Sequence, residues 1–362
     1  MGLKSLLARA AVSRAHVLVV ATPSSFTTRV ALERALLSRG WVQADSPADA
    51  DVLAVCGHEF PQLTEALQVV WDAMPGPRVR VDLADTASVP AAIAQAARQL
   101  LDTNQHIEQA RHRAAVRPRP DQSDMDMDMD MGHGDMDMAP GGIPLAEGAE
   151  DRDGLEMDVL HLPLGPVLPY WPSGLVLHCA LHGDVAIDVE AEVLAEPARV
   201  QLAAGTLDGP GLAAARACDA IVSVLALAGW PVGAGLARRV RDACMDGDLH
   251  GAAEHLDHLR RTTARSLLLR WMLRGIGRLD AEVVEGRSAV QQLVGDVYDR
   301  LVALLDRVEQ ELLGSASPPP SPADLVDVLP ALVDGLELAS VRLVVASLGL
   351  EVAPSPVEVA DA

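Results

Sequence analysis

The sequence predicts an α/β domain followed by a mainly-α one, joined by a linker that belongs to neither core. Three observations carry this. Short apolar runs alternate with helix-period stretches up to about residue 116. A strict alternation of Met and Asp then interrupts the chain at 124–131 and again at 135–138. Beyond it, one hairpin signal precedes four or five amphipathic stretches separated by short breaks.

In the first half, His16-Val17-Leu18-Val19-Val20 reads as a short buried strand. Ser24 or Ser25 is placed to cap a helix through about Ser38, which Gly40 stops. Ala50–Cys56 is a second buried strand, and Phe60 to Met74 an amphipathic helix with Leu63, Leu67, Val70 and Trp71 on one stripe. Val79–Leu83 is a third strand, and an Ala-rich helix runs from Val89 past Leu101. Alternation of this kind implies a parallel sheet covered on both faces. Ligands of such sheets sit beyond the carboxyl ends of the strands, here Ala21–Ser25, Cys56–Glu59 and Ala84–Thr86. Neither a G-x-G-x-x-G nor a P-loop pattern is present, and Cys56 and His58 are the only soft ligands at those ends. A buried small thiol beside a loop histidine is the alternative reading of that pair.

The linker holds six of the eleven methionines within fifteen residues. A strand of alternating Met and Asp would line one face with carboxylates, so it cannot enter a core. Met125, Met127, Met129, Met131, Met136 and Met138 are soft thioether donors suited to Cu(I), and His133 adds an imidazole. The interleaved carboxylates favour hard ions instead, and a disordered, solvated spacer is the competing reading. Net charge is -22, and 121–158 alone contains thirteen Asp and Glu against one Arg. Nucleic acid is therefore excluded as an expected partner, because phosphate neutralisation needs a basic face. The four cysteines form no CxxC, which argues against a disulfide framework and suits a reducing cytoplasm. No apolar run is long enough for a membrane span, and none at the start for a signal peptide.

In the second half, a proline-spaced rigid segment, Leu162–Gly174, leads into a strand over Leu175–Leu181. His182-Gly183-Asp184 turns it into a return strand over Val185–Val193. Helices are expected over Gly211–Leu227, Val232–Met245, His250–Gly275, Arg287–Leu313 and Asp327–Leu348, the set of an antiparallel bundle. His250, Glu254 and His258 share one helix face at a spacing that suits a divalent metal or a solvated surface. Arg260, Arg261, Arg265, Arg270, Arg274 and Arg278 make the same stretch basic beside Leu267–Leu269 and Trp271. Pairing with acidic groups and a membrane-surface role are the two readings of that feature.

Two segments carry a family resemblance. Ala50-Asp51-Val52-Leu53, Gly57, Ala66-Leu67 and Met74-Pro75-Gly76-Pro77-Arg78 resemble the iron–sulfur small subunit shared by complex I and [NiFe] hydrogenases. The resemblance implies a small flavodoxin-like parallel sheet and a four-iron cluster. Where that family has its cluster cysteines, this chain has Ser24-Ser25 and Thr86, so the fold is expected without the cluster. Gly165, Pro166, Pro169, Gly174, Leu181, Gly183 and Asp184 resemble the opening of the large, quinone-binding subunit. The family's quinone-side histidine is Leu168 here, and its CxxC nickel ligands are missing.

The expected organisation is thus a clusterless small-subunit-like domain over 1–116, a disordered linker over 117–154, a large-subunit-like hairpin and bundle over 155–352, and a tail over 353–362. The expected function is that of an accessory or assembly component beside a redox complex, cytoplasmic or at the inner face of a membrane. Its partners would be protein subunits, any membrane association would run through them, and no iron–sulfur or nickel centre of its own is expected. The alternatives are metal buffering by Cu(I) at the linker and an active oxidoreductase subunit.

Overall fold

The fold, obtained as a computed structural model, describes residues 3–116, 147–150, 156–194, 210–282, 284 and 288–350. Two compact units divide the chain. The first draws on Met1–Ala21, Thr27–Gly57 and Leu67–Leu145, the second on Thr22–Phe26, His58–Ala66 and Ala146–Ala362.

The first unit is a parallel sheet of β1 (His16–Ala21), β2 (Val42–Gln43), β3 (Val52–Cys56) and β4 (Val79–Leu83), in the order β2-β1-β3-β4. All five residues of β3 are buried, which accounts for its unbroken apolar run. Its helices are α1 (Leu3–Val12), α2 (Phe26–Arg39), α3 (Pro61–Ala73), α4 (Val89–Leu100) and α5 (Thr103–Val116). Val17, Leu32, Leu36, Val52, Ala54, Val81, Ile93 and Ala96 belong to one buried cluster. The Ala-rich stretch is two helices where the sequence suggested one. Asp102 breaks it, because its carboxylate accepts the Asn104 and Gln105 amides and starts α5 afresh. Helix α1 was not anticipated. A tertiary bond fixes its end: the Trp41 indole donates to the Val12 carbonyl at 2.8 Å.

The second unit has an antiparallel sheet in the order β5-β6-β7-β8-β9. Its strands are β5 (Glu147–Glu150), β6 (Glu156–Leu164), β7 (Leu175–His182), β8 (Val185–Val193) and β9 (Leu336–Glu337). The expected hairpin is β7 and β8 around Gly183-Asp184, with Gly183 at φ +64° as a tight turn needs. The proline-spaced lead-in begins inside a strand instead: Leu162, Pro163 and Leu164 of β6 pair with Cys179, His178 and Leu177. Among the described residues β5 pairs β6 only as far as Val159, so Pro163, which has no amide hydrogen to donate, lies beyond that described pairing. Glu147–Glu150, assigned to the linker from sequence, pairs as β5.

Seven helices follow among the described residues: α6 (Pro210–Leu227), α7 (Pro231–Met245), α8 (Leu249–Arg265), α9 (Leu267–Leu273), α10 (Val297–Leu312), α11 (Pro322–Val333) and α12 (Leu338–Ser347). Helix α6 packs against α7, α10 and α12 and carries Ala214, Cys218, Ile221 and Leu225 fully buried. Three expected helices are shorter than their apolar periodicity. The 250–275 stretch breaks at Ser266, whose hydroxyl caps α9 by accepting the Leu269 amide. The 287–313 stretch enters α10 only after Gly295, at φ +106°, and the cap Asp296. The 327–348 stretch splits where the Gly335 amide donates to Ala186 at 2.7 Å and β9 joins the hairpin.

A buried guanidinium organises this region. Arg300 is 1% exposed. It donates to the Ser347 hydroxyl at 2.8 Å and to the carbonyls of Gly277 at 2.8 Å, Gly295 at 2.9 Å and Leu293 at 3.3 Å. Burial lowers its pKa to about 10, against the pull of Asp296 and Asp299. Asp296 completes the arrangement, accepting the amides of Gly275, Tyr298 and Asp299 at 2.9–3.1 Å.

Burial alone would raise the Asp296 carboxyl. The three amides, with Arg274 nearby, outweigh it and hold the pKa below the ordinary 3.8. A depressed carboxylate contributes stability at pH above its unfolded value and loses that contribution as pH falls through the folded one. Asp296→Asn is therefore expected to be less stable than wild type near neutral pH, with the gap closing below about pH 4. Urea unfolding across pH checks this, and an undiminished gap at the acid end contradicts it.

Candidate functional site

At the strand ends of the first sheet, most polar side chains named from sequence serve local turns. The Ser25 hydroxyl donates to the Thr22 carbonyl at 2.9 Å and so closes the turn before α2. Thr86 opens a single 3-10 turn capped by Asp85, whose carboxylate accepts the Ser88 amide at 2.9 Å. Cys56 and His58 are not brought together as ligands. The thiol is sealed in β3, where burial pushes its pKa up to about 12, Arg29 pulling down and Glu33 up, whereas His58 is exposed. The motif arginine has a clear structural role: Arg78 donates to the carbonyls of Trp71 and Met74, capping the end of α3, and lies 4.2 Å over the Trp71 ring.

The other cysteines are also buried and free. Burial raises the Cys179 thiol. Cys218 on α6 is raised by burial and by donating its hydrogen to Cys244 on α7, and accepting that bond lowers Cys244. His250 meets Glu254 at 3.4 Å on an open face, with His258 exposed beyond. Among the described residues no three His, Cys, Asp or Glu converge as a ligand set. Met125, Met127, Met129, Met131, His133, Met136 and Met138 lie outside the described residues.

The most constrained feature is the loop between β6 and β7, residues 165–174. Gly165 has φ +97°, and a Cβ there would lie 2.4 Å from the Leu175 carbonyl oxygen and 2.6 Å from the Trp171 indole nitrogen. That indole donates to the Leu175 carbonyl at 2.8 Å. Tyr170 takes φ +59°, which a bulky residue adopts only when its surroundings impose it. Here α7 and α12 impose it. Arg342 donates to the Pro169 carbonyl at 2.8 Å, and Arg238 to the Tyr170 hydroxyl at 3.4 Å. Leu168 in the same loop is half-buried, and its side chain offers no polar group.

Sequence reasoning found the loop by its prolines and glycines but not the two arginines that hold it. Nothing in a linear pattern marks Arg238 or Arg342, because their role depends on helices distant in sequence meeting one loop. Chemically the arrangement is a rigid platform: its guanidiniums are engaged with the loop, and Leu168 and Pro169 bring no titratable group to it. Compared with protein-family models, curated proteins and solved structures, the chain has no match.

Gly165→Ala is expected to lower unfolding free energy by about 2–5 kcal/mol, because strain and backbone overlap add. Gly183→Ala, at φ +64° with nothing within 4 Å, is expected to lower it by only about 1 kcal/mol. Denaturant titration of both variants checks the order, and equal losses contradict the close-packed loop.

Proposed function

We propose that this chain is a non-catalytic accessory or assembly component that works beside a redox complex of the NADH–quinone oxidoreductase or [NiFe] hydrogenase kind. Its first unit would stand in for the small subunit and its second for the opening of the large one. The observation that carries the reading is the use made of the cluster positions. Ser25 is engaged in a turn bond and Thr86 opens a capped turn, while the nearest thiol, Cys56, is sealed within a strand and raised to about 12. A cluster ligand must be a thiolate that reaches the metal, so a residue set of this kind supports a scaffold role.

Two further features agree. Arg78 of the Met-Pro-Gly-Pro-Arg segment bonds backbone carbonyls, so the motif can persist for folding alone. In the loop that resembles the large subunit's opening, Leu168 cannot hydrogen-bond a quinone oxygen, yet the loop is held by Arg238, Arg342 and Trp171. Metal buffering by the Met–Asp tract is a second reading that rests on residues 124–138 alone.

Anaerobic affinity purification, followed by subunit identification and iron and sulfide analysis, tests the proposal. Redox-complex subunits are expected to co-purify, with iron and acid-labile sulfide well below one cluster per chain in the separated protein. Stoichiometric iron and sulfide in the separated chain, or retention of no redox subunit, contradicts it.

A further inference from the structure

Helix α9 is apolar on two faces. Leu269 and Leu273 are buried against the bundle. On the opposite side Leu267, Leu268, Trp271 and Met272 are 76%, 65%, 78% and 40% exposed. Their spacing of i, i+1, i+4 and i+5 places them in one continuous stripe along the helix. The chain has five tryptophans, and Trp271 is the exposed one among them. A contiguous apolar stripe on a helix already packed on its other side marks an interaction surface.

The charges around the stripe indicate what it meets. Arg260 and Arg261 on α8 have acidic partners: Arg260 pairs with Asp306 and Glu309, and Arg261 with Asp257 at 2.9 Å. Arg265 and Arg270, which flank the stripe, are exposed and form no salt bridge among the described residues, and Arg274, also exposed, feels Asp296 but forms no direct salt bridge. Arg270 and Arg274 instead lie 5.8 and 5.9 Å from the centre of the Tyr298 ring. Exposed guanidiniums around a Leu-Leu-Trp stripe, in a chain of net charge -22, form a local basic and apolar face on an acidic molecule. Guanidinium forks suit phosphate oxygens, and Trp and Leu enter the boundary between headgroup and acyl chain. Apolar side chains with guanidiniums beside them match the layered chemistry of a lipid surface, phosphates outside and acyl chains beneath.

We propose that α9 is the face by which this chain lies on an anionic lipid surface, with Leu267, Leu268, Trp271 and Met272 entering the headgroup boundary and the flanking arginines bonding lipid phosphates. The contact is direct and does not run through a partner subunit. It rests on α9 alone and stands or falls independently of the redox-complex reading.

The test is flotation of the full chain with phosphatidylcholine vesicles, with or without an equal part of phosphatidylglycerol, together with tryptophan emission. The chain is expected to float with the phosphatidylglycerol vesicles at low salt, to shift its emission to the blue, and to be released by high salt. Leu268→Glu and Trp271→Glu, both at exposed positions, are each expected to weaken binding by at least about tenfold with circular dichroism unchanged. Arg270→Glu is expected to weaken it and to reduce its salt dependence. Absence of flotation overturns the proposal, as does binding that survives both apolar substitutions. Self-association abolished by Trp271→Glu, with no capture by lipid, also overturns it and makes the face a protein interface.

Discussion

One buried cation holds the second unit in register. Arg300 reaches four acceptors on three stretches of chain: the Gly277 carbonyl after α9, the Leu293 and Gly295 carbonyls before α10, and the Ser347 hydroxyl at the end of α12. Asp296 closes the same arrangement by accepting the Gly275 amide while capping α10. A guanidinium at 1% exposure is tolerable because each of its three nitrogens donates to an acceptor. The consequence reaches the surface. Gly275 and Gly277 follow α9 directly, so the bonds that satisfy Arg300 and Asp296 also fix the far end of the helix that carries Leu267, Leu268 and Trp271.

The need for such a device follows from composition. Aromatic residues make up 2% of the chain, so its cores are built from Ala, Val and Leu. Small side chains let helices approach closely: a Cβ on Gly211 at the start of α6 would lie 2.9 Å from the Cys244 carbonyl oxygen at the end of α7. Close packing of small residues gives less shape specificity than large rings do, and directional bonds from buried arginines supply it. Arg241, at 0% exposure, bridges α7 to Asp219 of α6 at 2.8 Å. Arg78 plays the corresponding part in the first unit, on the carbonyls that end α3.

The two-part architecture was legible because its signals are local. The buried runs at 16–20, 50–56 and 79–83 became parallel strands, and Gly183-Asp184 became the hairpin turn. Helix breaks were harder to see, because apolar periodicity continues across Ser266 and Asp102 while a single capping side chain overrides it. Strands β6 and β9 and the arginines around the 165–174 loop depend on residues far apart in sequence, and no linear pattern encodes them. Of the candidate sites, the solvated face at His250 and Glu254 and the basic stretch were found. Which of these arginines form salt bridges is set by the fold, because Ser266 separates α8, which carries the bridged Arg260 and Arg261, from α9. Ser25 and Thr86 are used in local turns, which no linear motif shows.

Hydrogen exchange on Arg300→Ala tests the central claim most directly. If Arg300 holds these segments, the amides of Gly275, Leu279, Gly295 and Val297, together with those of α12, lose protection as one group by at least about tenfold, while β1, β3 and β4 exchange as in wild type. Unchanged protection of that group, or loss confined to the turn at Gly295, contradicts the account.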